Sequence, residues 1–291
     1  MNRKFSLILA TMGDEPLIKD LLESLKNQTY KNFEVIIVNQ GEYGRLFNLV
    51  NEYINDIDIK YIHTSIKGLS RARNLGIAQA SGDIFTFPDD DCEYRESTLE
   101  QVNDFFSDKE YDIYTFKVFD KASGEESVTN WIKQSCEINS KNVFRIGVSI
   151  TTFIRIKDKE NIVFDEKLGL GAMFGSGEET DLILQLLHRE YKGYYCFEQY
   201  IFHPSKPKNL TRGYGYALGT GAVYYKEIFL RKNYMFIIKY LLSIIKPILN
   251  VFSNIIKLDK KLIIYNLSII KGRLNGFFTY RMRNRKIIWR H

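Results

Sequence analysis

The chain has 291 residues, of which 45% are hydrophobic and 14% aromatic, so it can bury a sizeable core and is neither disordered nor collagen-like. Its formal net charge of +6 is unevenly divided, because residues 231–291 contain 14 Lys and Arg against one acid, whereas the rest of the chain has an acidic excess. The three cysteines and four histidines are widely spaced, which argues against a disulfide framework and a zinc hydrolase. The short apolar run before Thr11 is too brief for a secretory signal, so we expect a cytoplasmic location.

The first ninety residues alternate between predicted strands and helices. Short apolar runs predict the strands, and apolar residues that recur every three or four positions predict the helices. The strands are expected at 5–10, 33–38, 59–63 and 84–87, and the helices at 18–25, 46–54 and 71–79. Strands joined by helices usually pair in parallel, which predicts a doubly wound sheet with its ligand beyond the carboxyl ends of the strands.

Residues 97 to about 225 have a mixed pattern. Here we predict helices at 99–106 and 180–188, strands near 113–119, 144–156 and 194–197, and a glycine-rich loop at 169–177. The glycine-rich stretch 213–219 differs from a dinucleotide-binding loop by one extra residue, and it follows no predicted strand. A Rossmann-type oxidoreductase is therefore excluded.

Three adjacent carboxylates, Asp89, Asp90 and Asp91, follow the predicted strand at 84–87. Adjacent carboxylates repel one another, so a fold that holds them together often has a cation there. Oxygen ligands of this kind suit Mg²⁺ or Mn²⁺. Taken alone, the same run could be a solvated acidic turn.

Other motifs accompany these carboxylates in a characteristic order. They are Ser24-Leu25, Gln28-Thr29-Tyr30, residues 32–38, residues 68–76, Ser81-Gly82-Asp83, residues 85–91, Phe164-Asp165-Glu166, residues 171–177, residues 178–182 and His203-Pro204. Over about residues 4–225 the chain resembles the inverting family 2 glycosyltransferases of GT-A fold. The resemblance implies an α/β fold with a doubly wound, mainly parallel sheet flanked by helices. It also implies a nucleotide-sugar-binding half at 1–96 and an acceptor-binding, catalytic half at 97–230.

The resemblance assigns residues to the donor diphosphate. Asp89 and Asp91 match the DxD motif that holds a Mn²⁺ or Mg²⁺ ion and the diphosphate, with Asp90 between them. Asp83 matches the acid that precedes the same strand. Arg73 is expected either near the donor or bracing the loop.

The nucleoside end of the donor is assigned in the same way. Thr11 lies where the first strand of the family meets the nucleobase and ribose. Asn39 stands where the family usually has an aspartate that reads the base or ribose. An amide can donate and accept, so uracil and guanine both remain possible bases, and we expect a UDP-sugar.

Inverting glycosyl transfer needs a carboxylate that takes the proton from the acceptor hydroxyl. The family places this base at the second position of its acidic pair, which is Glu179 here. Asp181 remains a rival, since the pair more often reads Glu-Asp. Acidic side chains are also favourable in the first turn of a helix, so capping is an alternative role for either residue.

Two further features are carried over from the family. His203 matches a late histidine with a metal-side or phosphate-side role, although a single histidine after a strand is usually structural. Arg212, with Tyr214 and Tyr216, is expected to form a glycine-rich loop that closes on the donor diphosphate.

Residues 231–291 form a basic tail. Between residues 234 and 258 the polar positions recur every three or four residues and are Lys239, Ser243, Lys246, Asn250, Asn254 and Lys257. This spacing predicts a helix with a wide apolar face, and no uninterrupted apolar run is long enough to span a bilayer. We therefore expect amphipathic helices that associate with an anionic membrane surface, with a packed core helix as the alternative. The apolar faces argue against nucleic acid as partner.

The combined reading is a metal-dependent glycosyltransferase, peripheral on the cytoplasmic face of the membrane. It would transfer a sugar from a nucleotide-diphosphate sugar to a hydroxyl of a lipid-linked glycan in surface-polysaccharide synthesis. Polyprenyl phosphate as acceptor and a sugar-phosphate nucleotidyltransferase are alternatives. A non-catalytic sugar-binding scaffold is disfavoured by the intact Asp89, Asp91 and Glu179.

Overall fold

The computed structural model describes residues 2–205 and 212–288 of the chain. The chain divides into two units. Unit 1 is Met1–Phe164 with Leu182–Lys206, and unit 2 is Asp165–Asp181 with Pro207–His291. The predicted functional regions at 1–96, 97–230 and 231–291 follow other boundaries and stay predictions.

A mixed β-sheet is the centre of unit 1. Its strands are β1 (Phe5–Thr11), β2 (Phe33–Asn39), β3 (Asp58–His63), β4 (Ile84–Thr86), β5 (Ile113–Asp120), β6 (Glu125–Glu126), β7 (Cys136–Ile138), β8 (Phe153–Arg155) and β9 (Gly193–Phe202). Within the described residues they lie in the order β3-β2-β1-β4-β8-β5-β9-β7, with β6 beside β5. Strands β1 to β4 are parallel and β9 is parallel to β5, whereas β8 and β7 run antiparallel to their neighbours.

Helices connect the strands of the parallel half, as predicted. The helices of this part of the chain are α1 (Glu15–Lys26), α2 (Gly44–Asn51), α3 (Leu69–Gln79), α4 (Thr98–Asp108), α5 (Val143–Ile146) and α6 (Glu178–His188), whose first turn belongs to unit 2. In α1 the apolar residues Ile18, Leu21, Leu22 and Leu25 are all fully buried. The spacing of apolar residues thus identifies the buried face, and the α/β architecture is confirmed.

The predicted strand at 144–156 is wrong over most of its length. The segment forms the short helix α5, a 3₁₀ turn (Ser149–Thr151) and only then β8. The hydroxyl groups of Thr151 and Thr152 both donate to the carbonyl oxygen of Val148, at 3.3 and 2.7 Å. Such local hydrogen bonds give the backbone an alternative to a sheet ladder.

Unit 2 contains three further helices among its described residues. They are α7 (Gly213–Tyr225), which continues into a π-helical turn (Lys226–Leu230), α8 (Met235–Ile256) and α9 (Lys260–Ile288). The glycine-rich loop predicted around Tyr214 and Tyr216 is therefore wrong, because these residues lie in α7. Glycines allow α7 and α9 to approach backbone to backbone: a Cβ at Gly276 would overlap the carbonyl oxygen of Leu218, and one at Gly221 that of Arg273.

Five of the six polar positions predicted for the tail lie on α8; Ser243 and Asn250 contact α9, whereas Lys246 is exposed. The Arg273 guanidinium donates to the carbonyl oxygen of Ser243, Asn250 donates to Asn266 at 3.4 Å, and Asn254 is buried. The apolar side chains of the opposite face are exposed; they include Ile238, Leu241, Leu242, Ile245, Leu249, Phe252 and Ile256. The wide apolar face is thus confirmed, and the described residues of unit 2 leave it uncovered.

Helix α8 is long enough, at 22 residues, and apolar enough to cross a membrane by length and composition alone. It alone passes this test within the described residues. Its uninterrupted apolar runs are short, as noted from the sequence, because Lys239 and Lys246 interrupt them, but the whole helix meets the criterion. Association of α8 with a membrane surface stays a prediction. Of the basic residues at the end of the tail, Arg290 lies outside the described residues, and the side chains from residue 282 onward are also outside them.

Candidate active site

The carboxyl ends of the parallel strands bring the first predicted site residues together. Strand β1 pairs with β2 on one side and with β4 on the other, so the loops that follow the three strands are neighbours. The Thr11 hydroxyl donates to Oδ2 of Asp90 at 2.8 Å. Thr11 and the acidic run are therefore in contact, as strand order predicted, and their shared role in donor binding stays a prediction.

Asp89, Asp91 and His203 form a cluster at this edge of the sheet. One ligand atom from each residue lies within 4.8 Å of the other two, and His203 Nε2 is 3.0 Å from Oδ1 of Asp91. Asp91 and His203 are nearly buried, whereas the Asp89 side chain is 40% exposed. Two carboxylates and an imidazole that converge in this way fit Mn²⁺ or Mg²⁺.

A cavity of about 340 Å³ lies beside this cluster and is lined by Asp91 and His203. Its other walls carry charged and apolar side chains, namely Leu17, Asp20, Glu93, Asp120, Lys121 and Phe202. The second ring nitrogen of His203, Nδ1, is buried and has no hydrogen-bond partner among the described residues. The cavity gives a ligand access to Asp91 and His203.

Arg73 contacts the acidic run through Asp89. It is almost fully buried in α3, and its Nη2 lies 3.3 Å from Oδ1 of Asp89 and 3.0 Å from the Ser149 hydroxyl. The guanidinium also lies over the rings of Phe87 and Phe164, at 5.8 and 5.4 Å from their centroids. These contacts support the expectation that Arg73 braces the loop. A contact of Arg73 with the donor stays a prediction.

Asn39 is fully buried at the end of β2 and holds the following loop. Its amide nitrogen donates to the Glu42 carbonyl and the Tyr61 hydroxyl, both at 2.8 Å, and its Oδ1 accepts from Gly41 N at 2.8 Å. A Cβ at Gly41 would overlap the carbonyl of Met12, so this loop touches the loop after β1. A direct contact of Asn39 with a base stays a prediction, but its amide already has these partners.

The same loop presents an aromatic cluster that the sequence analysis missed. Tyr43 is 51% exposed and stacks on Phe47 with 5.3 Å between ring centroids. Tyr61 and His63 meet the Tyr43 ring edge-on at 5.9 and 5.4 Å. The recurrence of aromatic residues at the ends of β2 and β3 was the available signal.

Asp83 is not brought to this site. It precedes β4, whereas Asp89 to Asp91 follow that strand. Its Oδ2 accepts a hydrogen bond from the backbone N–H of Lys4 at 2.8 Å, and its own N–H donates to the Lys4 carbonyl. This places Asp83 at the amino edge of the sheet, where it joins β1 to β4.

The predicted base residues lie in the first turn of α6, in unit 2. Asp181 is 2% exposed, and each of its carboxylate oxygens meets a different cation: Oδ2 is 2.6 Å from Lys226 Nζ, and Oδ1 is 2.7 Å from Arg231 Nη2. Glu179 is partly exposed in the same turn. Asp181 is thus occupied by ion pairs, which no sequence pattern indicated.

Arg212 is exposed and directly precedes α7. Residues 206–211, which lead into it, lie outside the described residues. A contact of Arg212 with the donor stays a prediction.

The model of Glycosyl transferase family 2 matches residues 6–165, more than half of the chain. The chain belongs to this family. Similar curated proteins include the Minor teichoic acid biosynthesis protein GgaB of Bacillus subtilis (strain 168), 28% identical over 180 residues, or 58% of this chain and 20% of GgaB. Poly(ribitol-phosphate) beta-N-acetylglucosaminyltransferase TarS of Staphylococcus aureus (strain Mu50 / ATCC 700699) is 29% identical over 119 residues, or 40% of this chain and 21% of TarS. The chain thus spans about a fifth of these relatives' lengths.

Solved structures of other glycosyltransferases share the fold of this chain. S. aureus TarS 1-349 in complex with UDP-GlcNAc superposes with a TM-score of 0.63 at 18% identity, over 78% of this chain and 67% of that one. Mannosyltransferase PcManGT from Pyrobaculum calidifontis, in complex with GDP-Man and Mn²⁺, gives a TM-score of 0.69 at 13% identity, over 96% and 88%. At these identities the likeness shows the GT-A-like fold alone.

Proposed function

We propose that the chain is a metal-dependent, inverting glycosyltransferase that uses a UDP-sugar and a hydroxyl of a lipid-linked glycan in surface-polysaccharide synthesis. The observation that carries the proposal is the convergence of Asp89, Asp91 and His203 beside the Thr11–Asp90 contact. Asp89 and Asp91 would hold Mn²⁺ or Mg²⁺, with His203 completing the set. When bound, such an ion offsets charge on the diphosphate and on the departing nucleotide.

The donor would lie along the carboxyl ends of β4, β1 and β2. Its diphosphate belongs at Asp89 and Asp91, and its ribose near Asp90 and Thr11, which the 2.8 Å hydrogen bond joins. The next loop carries the exposed ring of Tyr43, on which a nucleobase can stack. The titles of the two neighbour structures, with UDP-GlcNAc and GDP-Man, support a nucleotide-sugar donor and leave the base and sugar to experiment.

Glu179 is the proposed base. It would accept the proton of the acceptor hydroxyl as the hydroxyl oxygen attacks the anomeric carbon and the bond to the nucleotide breaks. The two ion pairs of Asp181 support this choice, because both of its carboxylate oxygens already contact cations and the side chain is buried away from an acceptor hydroxyl.

The acceptor proposal rests on the tail. The exposed apolar face of α8 and the positive charge of residues 231–291 suit an anionic membrane surface, where a lipid-linked glycan is anchored. GgaB and TarS are named for teichoic acid and poly(ribitol-phosphate), which supports a polymer acceptor. We therefore place the enzyme peripherally on the cytoplasmic face of the membrane.

The test is nucleotide release by the purified chain from a panel of nucleotide sugars, with lipid extract present and with either Mn²⁺ or excess chelator. We expect release from one donor that needs both metal and lipid extract. Loss of a residue that only supports a metal ligand typically lowers activity about 10–100-fold. Asp91 is a proposed ligand itself, so Asp91→Asn should lower activity at least about 100-fold and also weaken donor binding. Asp108→Asn, an exposed carboxylate at the end of α4, should behave as wild type. Full turnover in excess chelator would refute the metal proposal.

A further inference from the structure

A buried cluster of charges lies in unit 2, around the first turn of α6. It consists of Asp165, Asp181, Glu227, Lys226 and Arg231, whose side chains are 17%, 2%, 0%, 10% and 13% exposed. Three carboxylates face two cations, so the cluster carries a net charge of about −1. Burying charges in this way is costly, and replacement by apolar residues is often neutral for stability. Its presence here therefore invites an explanation other than stability.

Lys226 is the centre of the cluster. Its Nζ lies 2.7 Å from Oδ2 of Asp165 and 2.6 Å from Oδ2 of Asp181. It opens the π-helical turn that follows α7, and π-helical turns recur at functional sites. Lys226 is thus held between two carboxylates. One of them, Asp165, also accepts a hydrogen bond from Tyr280 of α9 through the same oxygen, at 2.6 Å.

Arg231 forms the second ion pair of Asp181. One guanidinium nitrogen reaches Oδ1 of Asp181 at 2.7 Å, and the other reaches Glu227 at 2.6 Å. Burial alone would lower the pKa of Arg231, but the facing carboxylates Asp181 and Glu227 raise it. Because both oxygens of Asp181 are engaged, its carboxylate cannot turn without breaking an ion pair.

The other end of this turn is fixed by glycines. The Asp181 N–H donates to the Gly177 carbonyl at 2.9 Å, which closes the first turn of α6. Gly177 has a φ of +90°, and a Cβ on it would lie 3.2 Å from the backbone of Gly219 in α7. The Ser176 hydroxyl donates to the Tyr216 carbonyl at 3.0 Å. Glu179 thus lies between two fixed points, Gly177 and Asp181.

We propose that Lys226 and Arg231 are positioning residues for Glu179. They act through Asp181: by holding its carboxylate they fix the first turn of α6, and with it the direction in which the Glu179 carboxylate faces the acceptor. The inference rests on the proposed function, in which Glu179 is the base.

The experiment compares kcat, the donor KM and the melting temperature of Lys226→Gln, Lys226→Arg and Glu179→Gln. Misplacement of a catalytic group by about 1 Å can cost about 100-fold, so Lys226→Gln should lower kcat about 10–100-fold. The donor KM should stay within about twofold, because the proposed diphosphate, ribose and base contacts are in unit 1. Lys226→Arg keeps a cation and should recover most of kcat, and Lys109→Met, an exposed lysine after α4, should match wild type.

A double variant separates positioning from stability. Lys226→Gln/Asp181→Asn returns the net charge of the cluster to its original value, so it should regain melting temperature while kcat stays low. If kcat recovers together with stability, or if folded Lys226→Gln has wild-type kcat, the positioning role is refuted. Glu179→Gln tests separately whether Glu179 is the base. A wild-type kcat in Glu179→Gln refutes the proposed base. If Glu179→Gln loses kcat while Lys226→Gln keeps it, only the positioning role is refuted.

Discussion

Glu34 is a fully buried carboxylate in β2 that keeps its charge. Burial alone would raise its pKa, but Lys60 at 2.8 Å, the Ser6 hydroxyl at 2.6 Å and the Ser81 backbone N–H at 2.6 Å lower the pKa to about 2. The ordinary value of 4.5 applies to the unfolded chain. Since the folded pKa is the lower one, the stabilisation is fully present above pH 4.5 and is lost as the pH falls toward 2.

Glu34→Gln should therefore destabilise the chain by about 2 kcal/mol at pH 7, the scale of a hydrogen bond to a charged group. Urea unfolding at pH 7 and pH 3 measures this. Wild type should lose stability between the two values, and the variant should lose less. Glu110→Gln, an exposed glutamate, is the matched control. Equal pH dependence in Glu34→Gln and wild type would contradict the assigned charge state.

Tyr43 gives a second prediction at the scale of one side chain. Stacking of a base on an aromatic ring is worth about 1–3 kcal/mol in proteins that bind single-stranded nucleic acids, so Tyr43→Ala should weaken binding of the nucleoside diphosphate by roughly 5–150-fold. Calorimetric titration with UDP in the presence of Mn²⁺ measures it. Tyr234→Ala, another exposed tyrosine, should bind like wild type. Unchanged affinity in Tyr43→Ala would remove the ring from the donor site.

The sequence predicted the convergence of Asp89, Asp91 and Thr11, because each follows a strand and parallel strands end at one edge. The aromatic residues near the ends of β2 and β3 hinted at a cluster there, but nothing in one sequence shows which of the 19 tyrosines is exposed, so Tyr43 was not singled out. The ion pairs of Asp181 were equally hidden, since Lys226 and Arg231 are far from it along the chain and the contacts depend on how α7 ends.

At the scale of elements, α7 shows why local propensity fails. Glycine costs about 1 kcal/mol relative to alanine in a helix, in line with the loop expected for the glycine-rich stretch 213–219. Close packing against α9 offsets this cost, because only glycine leaves room for the carbonyl oxygens at Gly221 and Gly276. Propensity is local, whereas the helix is decided by its neighbour.

Helix α8 was predicted from polar positions that recur every three or four residues, and this prediction is confirmed. The spacing of Ser243, Asn250 and Asn254 correctly indicates one polar face. It does not indicate where that face points. In the structure Ser243 and Asn250 contact α9, so the exposed surface of α8 is mainly apolar, with Lys246 also exposed.

At the scale of the whole molecule, the contrast between an acidic body and a tail of about +13 predicts binding to anionic bilayers. Each basic residue close to the headgroups contributes about 1 kcal/mol, which salt screens, and apolar burial adds a part that salt does not remove. In vesicle flotation the full chain should prefer anionic to neutral lipid and be only partly released by high salt.

The control for this prediction changes the exposed face alone. Leu241→Glu/Leu249→Glu should abolish the salt-resistant binding while the chain still binds UDP, because both leucines are exposed on α8. A full chain that stays in the soluble fraction with anionic vesicles would mean that the face serves another partner, and the lipid-linked acceptor would lose its main support.

The bond between Tyr280 and Asp165 has a consequence for synthesis of the protein. Translation proceeds from the amino end, so unit 1 residues up to Phe164 emerge well before Lys226, Arg231 and Tyr280. The hydrogen bonds around Asp165 are therefore complete only after α9, which carries Tyr280, has left the ribosome. Strands β1 to β8 are synthesised before α8 and α9, so most of the sheet is available before the cluster around the proposed base Glu179 is complete.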